Sequence, residues 1–527
     1  MLKKIVLFSA VIALFHFGNS AKAGERKQKP NVIFIYADDL GRGMLSFEGQ
    51  EIVKTPNIDK LADRGLRFNQ VRGCMFCAPA RASLLTGYHD CRTDKWKITS
   101  GGAYKKVFAG KVTADEVSQA LDKQVGRSGD SIVTMAEVFK KAGYVTGQVG
   151  KLEWGFSVSF EEMKRHGWDY YYGYLDHVMA HGFYPAYMFE NGKKVDVPGN
   201  TREDCGKTIE RETPEAFKER WNMEGRAVYS QNLFLDKILG FIRENKDHPF
   251  FLYHPTQLPH GPVAVPAVHP DFVNDDRLTQ IEKEYASMVK MLDEHVGVIV
   301  QELKKLKLDK NTIIVFSSDN GHEIYYAQEG RILKPVRNME TGERFDNITT
   351  KFYSEIGGDV FNGNDGMAGL KYDNWEGGLR VPLIIKWPGV TPKGKAVNNL
   401  VANYDLLPTF ADLLGVELHE QKDGISLLPV LTGKGAETEH NYTVNASMYG
   451  GTIVTKEGWK LRHYYPKDIF QLYYLPDDYK EENDLAAKYP DKVDELKQLL
   501  LKECNGDLSR GYFTYQKFVL PMVQMEP

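Results

Sequence analysis

The sequence predicts an α/β protein: helices sandwich a large mixed, mostly parallel sheet, and a small α+β domain follows at the C-terminus. Three observations predict this fold. Short apolar runs typical of strands buried on both faces recur up to about residue 400. Amphipathic helices alternate with these runs, which indicates a parallel sheet with crossover helices. Beyond about residue 441 the predicted strands are short and one last helix follows them.

The predicted elements alternate along the first 430 or so residues. Strands are predicted where short apolar runs occur, at 31–37, 145–149, 250–253, 312–316 and 383–386. Helices are predicted where apolar residues recur at helical spacing or where Pro and Gly mark the ends, at 56–63, 79–86, 134–142, 226–244, 281–306 and 406–414. The C-terminal domain adds strands at 453–455 and 459–462 and a helix at 490–501.

The N-terminus has the three parts of a signal peptide. Lys3 and Lys4 precede an apolar run at 5–17 that is short for a membrane span, and an A-x-A-like cleavage site follows at 21–23. We therefore predict a signal peptide at 1–23, a catalytic domain at 24–436 and a C-terminal subdomain at 437–527. The mature protein is expected in the periplasm or secreted, without stable membrane insertion.

The net charge is small for 527 residues. Lysine and arginine number 67 and aspartate and glutamate 71, so the formal charge is −4. A chain with this balance has no field that would attract a polyanion. Nucleic acid is therefore not an expected partner.

Polar residues stand directly after four of the predicted strands. Because the carboxyl ends of parallel strands meet at one edge of a sheet, these side chains should converge there. They are Asp38 and Asp39, Lys151, His260, and Asp319 with Asn320. The carboxylates and the amide offer only oxygen ligands, which suits a hard cation and disfavours zinc. We expect one Ca²⁺ per chain rather than Mg²⁺, since substrate oxygens could raise the coordination number beyond six.

Cys77 begins a motif that predicts a short helix. Pro79 suits a first helical turn and Gly87 suits the position after the last turn. Cys77 would then lie at the helix entrance, where free N–H groups can hold an anion. Arg81, one turn further, can reach back to the Cys77 side chain.

The Cys-x-Pro-x-Arg sequence at 77–81 and the following Leu85-Thr86-Gly87 resemble the signature of the sulfatases. The resemblance extends from residue 31 to about 426 and to Trp459-Lys460-Leu461. It is to the formylglycine-dependent type I sulfatases of the alkaline phosphatase-like superfamily. It implies that a maturation enzyme oxidises Cys77 to formylglycine (3-oxoalanine). The hydrate of this aldehyde would attack the sulfur of a sulfate monoester. The conversion would also leave four of the five cysteines, whose pairing the sequence does not reveal.

The resemblance implies a role for each strand-end residue. It places a calcium ion on Asp38, Asp39, Asp319, Asn320 and the converted Cys77. It implies that Arg81 holds the formylglycine and that Lys151 and Lys371 bind the sulfate. It puts His260 beside the leaving oxygen.

The chain departs from the family at one catalytic position. Sulfatases commonly have Gly-Lys-Trp-His where this chain has Gly150-Lys151-Leu152-Glu153. The family's histidine helps to deprotonate the formylglycine hydrate. Glu153 could replace it as the base, or could orient Lys151 through an ion pair while His322 or another group acts as the base.

The aromatic stretch at 168–200 is expected either to wall a substrate pocket or to form a satellite core. Four residues, two of them from this stretch, are expected to bind substrate: His177, His181, His322 and Arg380.

The predicted function is hydrolysis of sulfate monoesters, with sulfated carbohydrate as the expected substrate because of the export signal and the aromatic stretch. Two alternatives remain open. The first is a phosphodiesterase or phosphonate hydrolase of the same fold. The second is a catalytically silent sulfoglycan-binding protein, which only the missing histidine supports.

Overall fold

Two β-sheets organise the chain in a computed structural model that describes residues 29–124, 132–208, 218–326, 336–435 and 438–521. The larger sheet has ten strands, β1 to β10, in the order β10-β2-β9-β8-β1-β7-β3-β4-β5-β6. In chain order they are Asn31–Ala37, Leu66–Arg72, Val145–Gly150, Tyr170–Gly173, Tyr187–Glu190, Lys193–Asp196, Phe250–Pro255, Thr312–Ser318, Leu383–Lys386 and Lys395–Ala402. The predicted signal peptide lies outside the described residues.

The centre of this sheet is parallel, and its edges are mixed. Strand β1 pairs in parallel with β8 on one side and β7 on the other, and β7 pairs in parallel with β3. Strand β9 is antiparallel to both β8 and β2, and β4, β5 and β6 form an antiparallel extension. All seven residues of β1 are buried. The central strands thus carry the buried apolar runs that parallel sheets require, and they end at the same edge.

Helices α1 to α15 connect the strands. In chain order they are Pro56–Arg64, Cys77–Thr86, Lys105–Phe108, Ala114–Gln124, Met135–Lys141, Phe160–Arg165, Ser230–Glu244, Pro270–Val273, Gln280–Lys305, Ser354–Gly357, Glu376–Leu379, Leu406–Leu414, Leu428–Leu431, Pro490–Glu503 and Tyr515–Phe518. Short 3₁₀ turns lie at Arg42–Met44, Ser46–Glu48, Met179–His181, Asn403–Asp405, Tyr465–Lys467 and Leu508–Gly511. Within the described ranges, we find no helix with the length and apolar character that a bilayer crossing needs.

The smaller sheet is antiparallel and lies near the C-terminus. Its strands β11 to β14 are consecutive in space and in sequence, at Tyr442–Asn445, Thr452–Thr455, Trp459–Tyr464 and Ile469–Tyr474. Helix α14 follows and buries Leu496 and Leu500. A separate C-terminal sheet with one main helix confirms the predicted α+β addition, and the division at residue 436 stays a prediction.

The sequence located the central elements well and the edges poorly. Strand β1 and helix α12 have the predicted bounds, whereas α7 begins four residues later than expected. Helix α2 begins at Cys77 and not at Pro79 as predicted, so the cysteine is the first residue of the helix rather than a residue that precedes it. Strands β2, β10 and β4 to β6 were missed, because they are short or lack a continuous apolar run.

A buried ion cluster joins the two sheets. Glu376 Oε2 lies 2.6 Å from Arg72 Nη2 and 3.1 Å from Arg380 Nη1. Lys460 Nζ lies 3.0 Å from Glu376 Oε1 and 2.7 Å from Glu481 Oε1. The three cations hold the pKa of Glu376 below its usual range against the opposing effect of burial. Arg380 is committed to this cluster, so the expectation that it binds substrate is corrected.

The Glu376→Gln variant is expected to lose about 3–5 kcal/mol of unfolding free energy, because the change leaves buried cations uncompensated. Denaturant unfolding measures this loss. The matched control is Glu495→Gln, whose exposed pair with Lys492 should contribute less than about 1 kcal/mol. Equal stability losses in the two variants would contradict a structural role for the cluster.

Candidate active site

Helix α2 places the Cys77 side chain at the base of a cavity of about 820 Å³. Phe76 precedes the helix in an extended conformation, and Gly87 ends it with a φ of 76°. The whole helix is buried, so Cys77 faces the cavity from a fixed element and is only 1% exposed.

The predicted ligand residues meet at the carboxyl ends of β1 and β8. These strands are in register, with Ala37 opposite Ser318, so the residues that follow them lie side by side. The Asp39 N–H donates to Asp319 Oδ1 at 3.0 Å, and Asn320 Nδ2 donates to Asp39 Oδ1 at 2.8 Å. Asp39 adopts a left-handed φ of 62°, a conformation uncommon for residues other than glycine and often found at functional sites.

Three oxygen atoms of this group are buried without a hydrogen-bond donor: Asp38 Oδ1, Asp319 Oδ2 and Asn320 Oδ1. Ligand atoms of Asp38, Cys77 and Asp319 all lie within 4.8 Å of one another. Burial raises the pKa of Asp319 well above its usual value, and repulsion from Asp38 and Asp39 adds to the effect. Unsatisfied buried oxygens and repelling carboxylates fit a hard cation, which would satisfy both.

Three cations border the carboxylates. Lys151 pairs with Asp38, Lys371 Nζ lies 2.8 Å from Asp39 Oδ2, and Arg81 Nη2 lies 3.3 Å from Asp38 Oδ2. Although burial opposes ionisation, the Lys151 ammonium and its neighbours hold the pKa of Asp38 well below its usual range. The structure therefore brings both predicted sulfate-binding lysines and Arg81 to the ligand group.

His260 lies between the carboxylates and the cavity. Its Nδ1 is 2.5 Å from the Gly261 carbonyl oxygen, and its Nε2 is 3.2 Å from Lys371 Nζ. Nδ1 therefore donates and Nε2 accepts. Burial and the Lys371 charge lower the pKa of His260 to about 3, so the ring is neutral at neutral pH. A bound sulfate ester would bring negative charge next to the ring and raise this pKa.

His177 contacts Cys77 directly. Its Nε2 lies 3.6 Å from Cys77 Sγ. Burial, followed by the charges of Lys151 and Arg81, lowers the pKa of His177 well below its usual value, so the ring is neutral. The ring of His181 lies between the two histidines, with centroids 4.4 Å from both His177 and His260. Both residues of the aromatic stretch that were expected to bind substrate therefore line the cavity.

Glu153 is not part of this group. Its Oε1 is 2.5 Å from His166 Nδ1, and its Oε2 accepts from Trp168 Nε1 at 3.1 Å. The ring of His166 also stacks on Trp154, with centroids 4.3 Å apart. Both expected roles of Glu153 are corrected, since it contacts neither Cys77 nor Lys151 and instead anchors the loop after β3.

His322 is also displaced from its expected position. Its Nε2 lies 2.8 Å from the Tyr326 hydroxyl and 3.7 Å from Asp359 Oδ2, behind the ligand residues and outside the cavity lining. The residue is fully buried. His322 therefore supports the loop after β8, and its expected substrate contact and its alternative role as base are corrected.

Most of the aromatic stretch forms core rather than a pocket wall. Tyr171, Tyr172 and Tyr174 are buried against the sheet. The cavity is lined by Cys77, His177, His181, His260 and Lys371, and also by residues that the sequence did not single out, among them Phe76, Phe156, Lys207, Thr208, Tyr325, Tyr372, Met448, Phe513 and Tyr515. Tyr325, which donates to Asp39 Oδ2, follows a strand end closely and could have been found there. The others had no local signal.

Comparisons with known proteins agree with this geometry. A model of the family described as Sulfatase matches residues 30–416, and one described as N-sulphoglucosamine sulphohydrolase, C-terminal, matches residues 371–506. An N-acetylgalactosamine-6-O-sulfatase of Bacteroides thetaiotaomicron is 28% identical over 90% of this chain and 93% of that protein. The N-acetylgalactosamine-6-sulfatase of Homo sapiens is 30% identical over 77% of this chain and 66% of that protein.

A solved structure extends the likeness to the whole fold. It is a Bacteroides thetaiotaomicron protein described with the metabolism of multiple glycosaminoglycans, and it matches with a TM-score of 0.67 and 26% identity. The alignment covers 91% of this chain and all of that chain. The Sulfatase match spans more than half of the sequence and includes Asp38, Asp39, Arg81, Lys151, His177, His260, Asp319, Asn320 and Lys371, which meet around Cys77. The chain therefore belongs to the sulfatase family and is a sulfuric ester hydrolase.

Proposed function

We propose that the protein releases sulfate from sulfated carbohydrates and that a formylglycine formed from Cys77 is its nucleophile. The observation that carries this proposal is the contact set of Cys77. Its sulfur lies within 4.8 Å of ligand atoms of Asp38 and Asp319 and 3.6 Å from His177. The Sγ atom marks where a hydroxyl of the formylglycine hydrate would stand.

The reaction follows from these contacts. One hydroxyl of the Cys77-derived hydrate gives its proton to a base and attacks the sulfur of the ester, and the S–O bond to the alcohol breaks. Lys151 and Lys371 stabilise the charge on the sulfuryl oxygens in a buried site. His260, whose pKa rises beside the bound ester, gives a proton to the departing alcohol oxygen. Loss of a proton from the remaining hydroxyl then expels sulfate and restores the aldehyde.

His177 is the base in this proposal. It contacts the Cys77 side chain from a segment that follows β4, whereas the family's histidine would stand at position 153. A neutral imidazole can take a proton from the hydrate, and the negative charge of a bound sulfate ester would raise its lowered pKa towards the range that a base needs. With His177 as the base, the missing histidine at position 153 no longer favours a catalytically silent glycan-binding protein.

Asp38, Asp39, Asp319 and Asn320 are proposed to hold Ca²⁺. The cation would lower the pKa of the attacking hydroxyl and draw charge from the ester. The three unsatisfied oxygens of Asp38, Asp319 and Asn320 support this site. Four oxygen ligands also leave room for oxygens of the nucleophile and the ester.

Chelation of the purified protein is expected to lower its melting temperature by roughly 3–5 °C, since a metal that binds only the folded state stabilises it. Added Ca²⁺ should restore the loss, and Mg²⁺ should restore less. The Asp319→Asn variant is the control and should respond weakly to both ions. An unchanged melting temperature after chelation would contradict the metal site, and full recovery with Mg²⁺ alone would contradict the choice of Ca²⁺.

The carbohydrate part of the proposal rests on the named relatives and on a cavity of mixed character. The test is sulfate release from a panel of sulfated sugars, with an aryl sulfate and matched phosphate and phosphonate esters beside them. Activity on the aryl ester with every sugar inert would contradict a carbohydrate substrate. Faster cleavage of phosphorus esters would favour the alternative hydrolase. N-terminal sequencing of the mature protein tests the proposed cleavage after residue 23 and export.

A further inference from the structure

The lining of the active-site cavity is of two kinds. Its aromatic and apolar side chains, which we call the aromatic wall, are Phe76, Phe156, Tyr372, Met448, Phe513 and Tyr515. Its polar side chains include His177, His181, Lys207 and Thr208, and the His177 ring lies next to that of Phe156, with centroids 5.0 Å apart. A pyranose ring has an apolar C–H face and a polar hydroxyl rim, so it can contact both kinds of lining. An aryl group, apolar on both faces, matches only the aromatic wall.

The aromatic wall runs outward from the nucleophile to the surface. Phe76 immediately precedes Cys77, and its ring meets the Phe513 ring edge-on with centroids 5.0 Å apart. Phe513 in turn contacts Tyr515, with centroids 5.6 Å apart. Tyr515 is 62% exposed, the highest value among the exposed large apolar and aromatic side chains of the described residues. Tyr515 therefore lies at the cavity rim, and the Phe513 ring connects it to Phe76, the residue before the nucleophile.

Tyr372 forms the inner part of the same wall. Its ring centroid is 5.7 Å from that of Phe76, and the Lys371 ammonium lies 5.2 Å from its ring centroid. Its φ of 77° is a strained conformation for a bulky residue. The backbone is held on both sides, because its N–H donates to Met75 O at 2.8 Å and its carbonyl accepts from Met448 N at 3.0 Å. The chain thus keeps a strained tyrosine beside the sulfate-binding lysine.

We propose that this wall is a sugar-binding surface with two positions, in which Tyr372 faces the sulfated ring and Tyr515 stacks on the next sugar ring of the glycan. The inference rests on the proposed function and extends it. The substrate class it implies is a sulfated oligosaccharide that presents its sulfated ring to Cys77. Tyr515 belongs to the C-terminal helix α15, so the C-terminal subdomain selects for chain length.

The experiment measures binding without turnover, in the full chain carrying Cys77→Ala. Sulfated mono- and disaccharides that share the same sulfated ring are titrated by calorimetry. The disaccharide is expected to bind more tightly than its monosaccharide. Adding Tyr515→Ala should weaken disaccharide binding by about 3- to 10-fold, the range expected for one aromatic stacking contact, and change monosaccharide binding less than twofold. Tyr515→Trp, which keeps a flat ring, should restore disaccharide affinity.

The control is Tyr489→Ala, which removes another partly exposed tyrosine of the C-terminal subdomain at a distance from the cavity. It should leave both affinities within twofold of the parent. Equal weakening of mono- and disaccharide by Tyr515→Ala, or no weakening of either, would overturn the second sugar position. If no sulfated sugar binds the Cys77→Ala protein that carries no further change, the carbohydrate substrate itself is overturned. Failure of the second sugar position and failure of the proposed function therefore give different results.

Discussion

The Cys77→Ala variant is expected to lose four to six orders of magnitude in kcat, as roughly expected when a covalent nucleophile is removed. Alanine cannot be oxidised to an aldehyde and offers no atom that could attack sulfur. Sulfate release from the best substrate of the sugar panel measures the loss. KM of any residual activity should change little, because Lys151, Lys371 and the four other metal ligands remain.

The matched control for this variant is Cys91→Ala. Cys91 is also fully buried but does not line the active-site cavity, so its replacement should affect stability and leave kcat nearly unchanged. Mass spectrometry of the Cys77 peptide from the native host should show the aldehyde in the wild-type protein. A free thiol in a fully active protein, or full activity of Cys77→Ala, would contradict formylglycine chemistry.

Replacing His177 by glutamine is expected to lower kcat by about 10²–10⁴-fold with a small change in KM. Glutamine keeps a polar group near position 77 but cannot take a proton from the hydrate. The comparison variant is Glu153→Gln, at the position where the family has its histidine. Because Glu153 binds His166 and Trp168, this change should lower the melting temperature and leave kcat within about threefold.

Single-turnover kinetics shows which step each of the two variants slows. If His177→Gln cleaves the ester rapidly but releases sulfate slowly, His177 acts in the second step, where the remaining hydroxyl loses its proton. The reverse order of effects, with an inactive Glu153→Gln and a fully active His177→Gln, would contradict the assignment of His177 as base.

The strand-end residues could be predicted because their placement depends on local patterns. A continuous apolar run such as β1 is a buried strand whatever surrounds it, and parallel strands share one carboxyl edge. The strand pattern alone therefore predicts that Asp38 and Asp319 are neighbours. The same argument brings Lys151 and His260 to the site.

The base and the sugar-facing wall could not be predicted in this way. Position 153 follows a strand end as position 151 does, yet its side chain is held by His166 and Trp168 on the far side of the loop. Arg380 and His322 stand near motif residues but bind Glu376 and Tyr326. Nearness in sequence to a motif did not determine which way these side chains point.

By itself, the sequence determined the oxygen-rich ligand set and the sheet edge where it lies, and its resemblance to the sulfatase signature at 77–81 supplied the nucleophile candidate. The ligand set and the sheet edge follow from strand patterns and ligand chemistry, which act over a few neighbouring positions. Only the tertiary structure decided that His177 contacts Cys77 and that Tyr515 lies at the rim of the cavity. Those contacts join segments far apart in the chain, and their geometry depends on how the sheets and loops pack together.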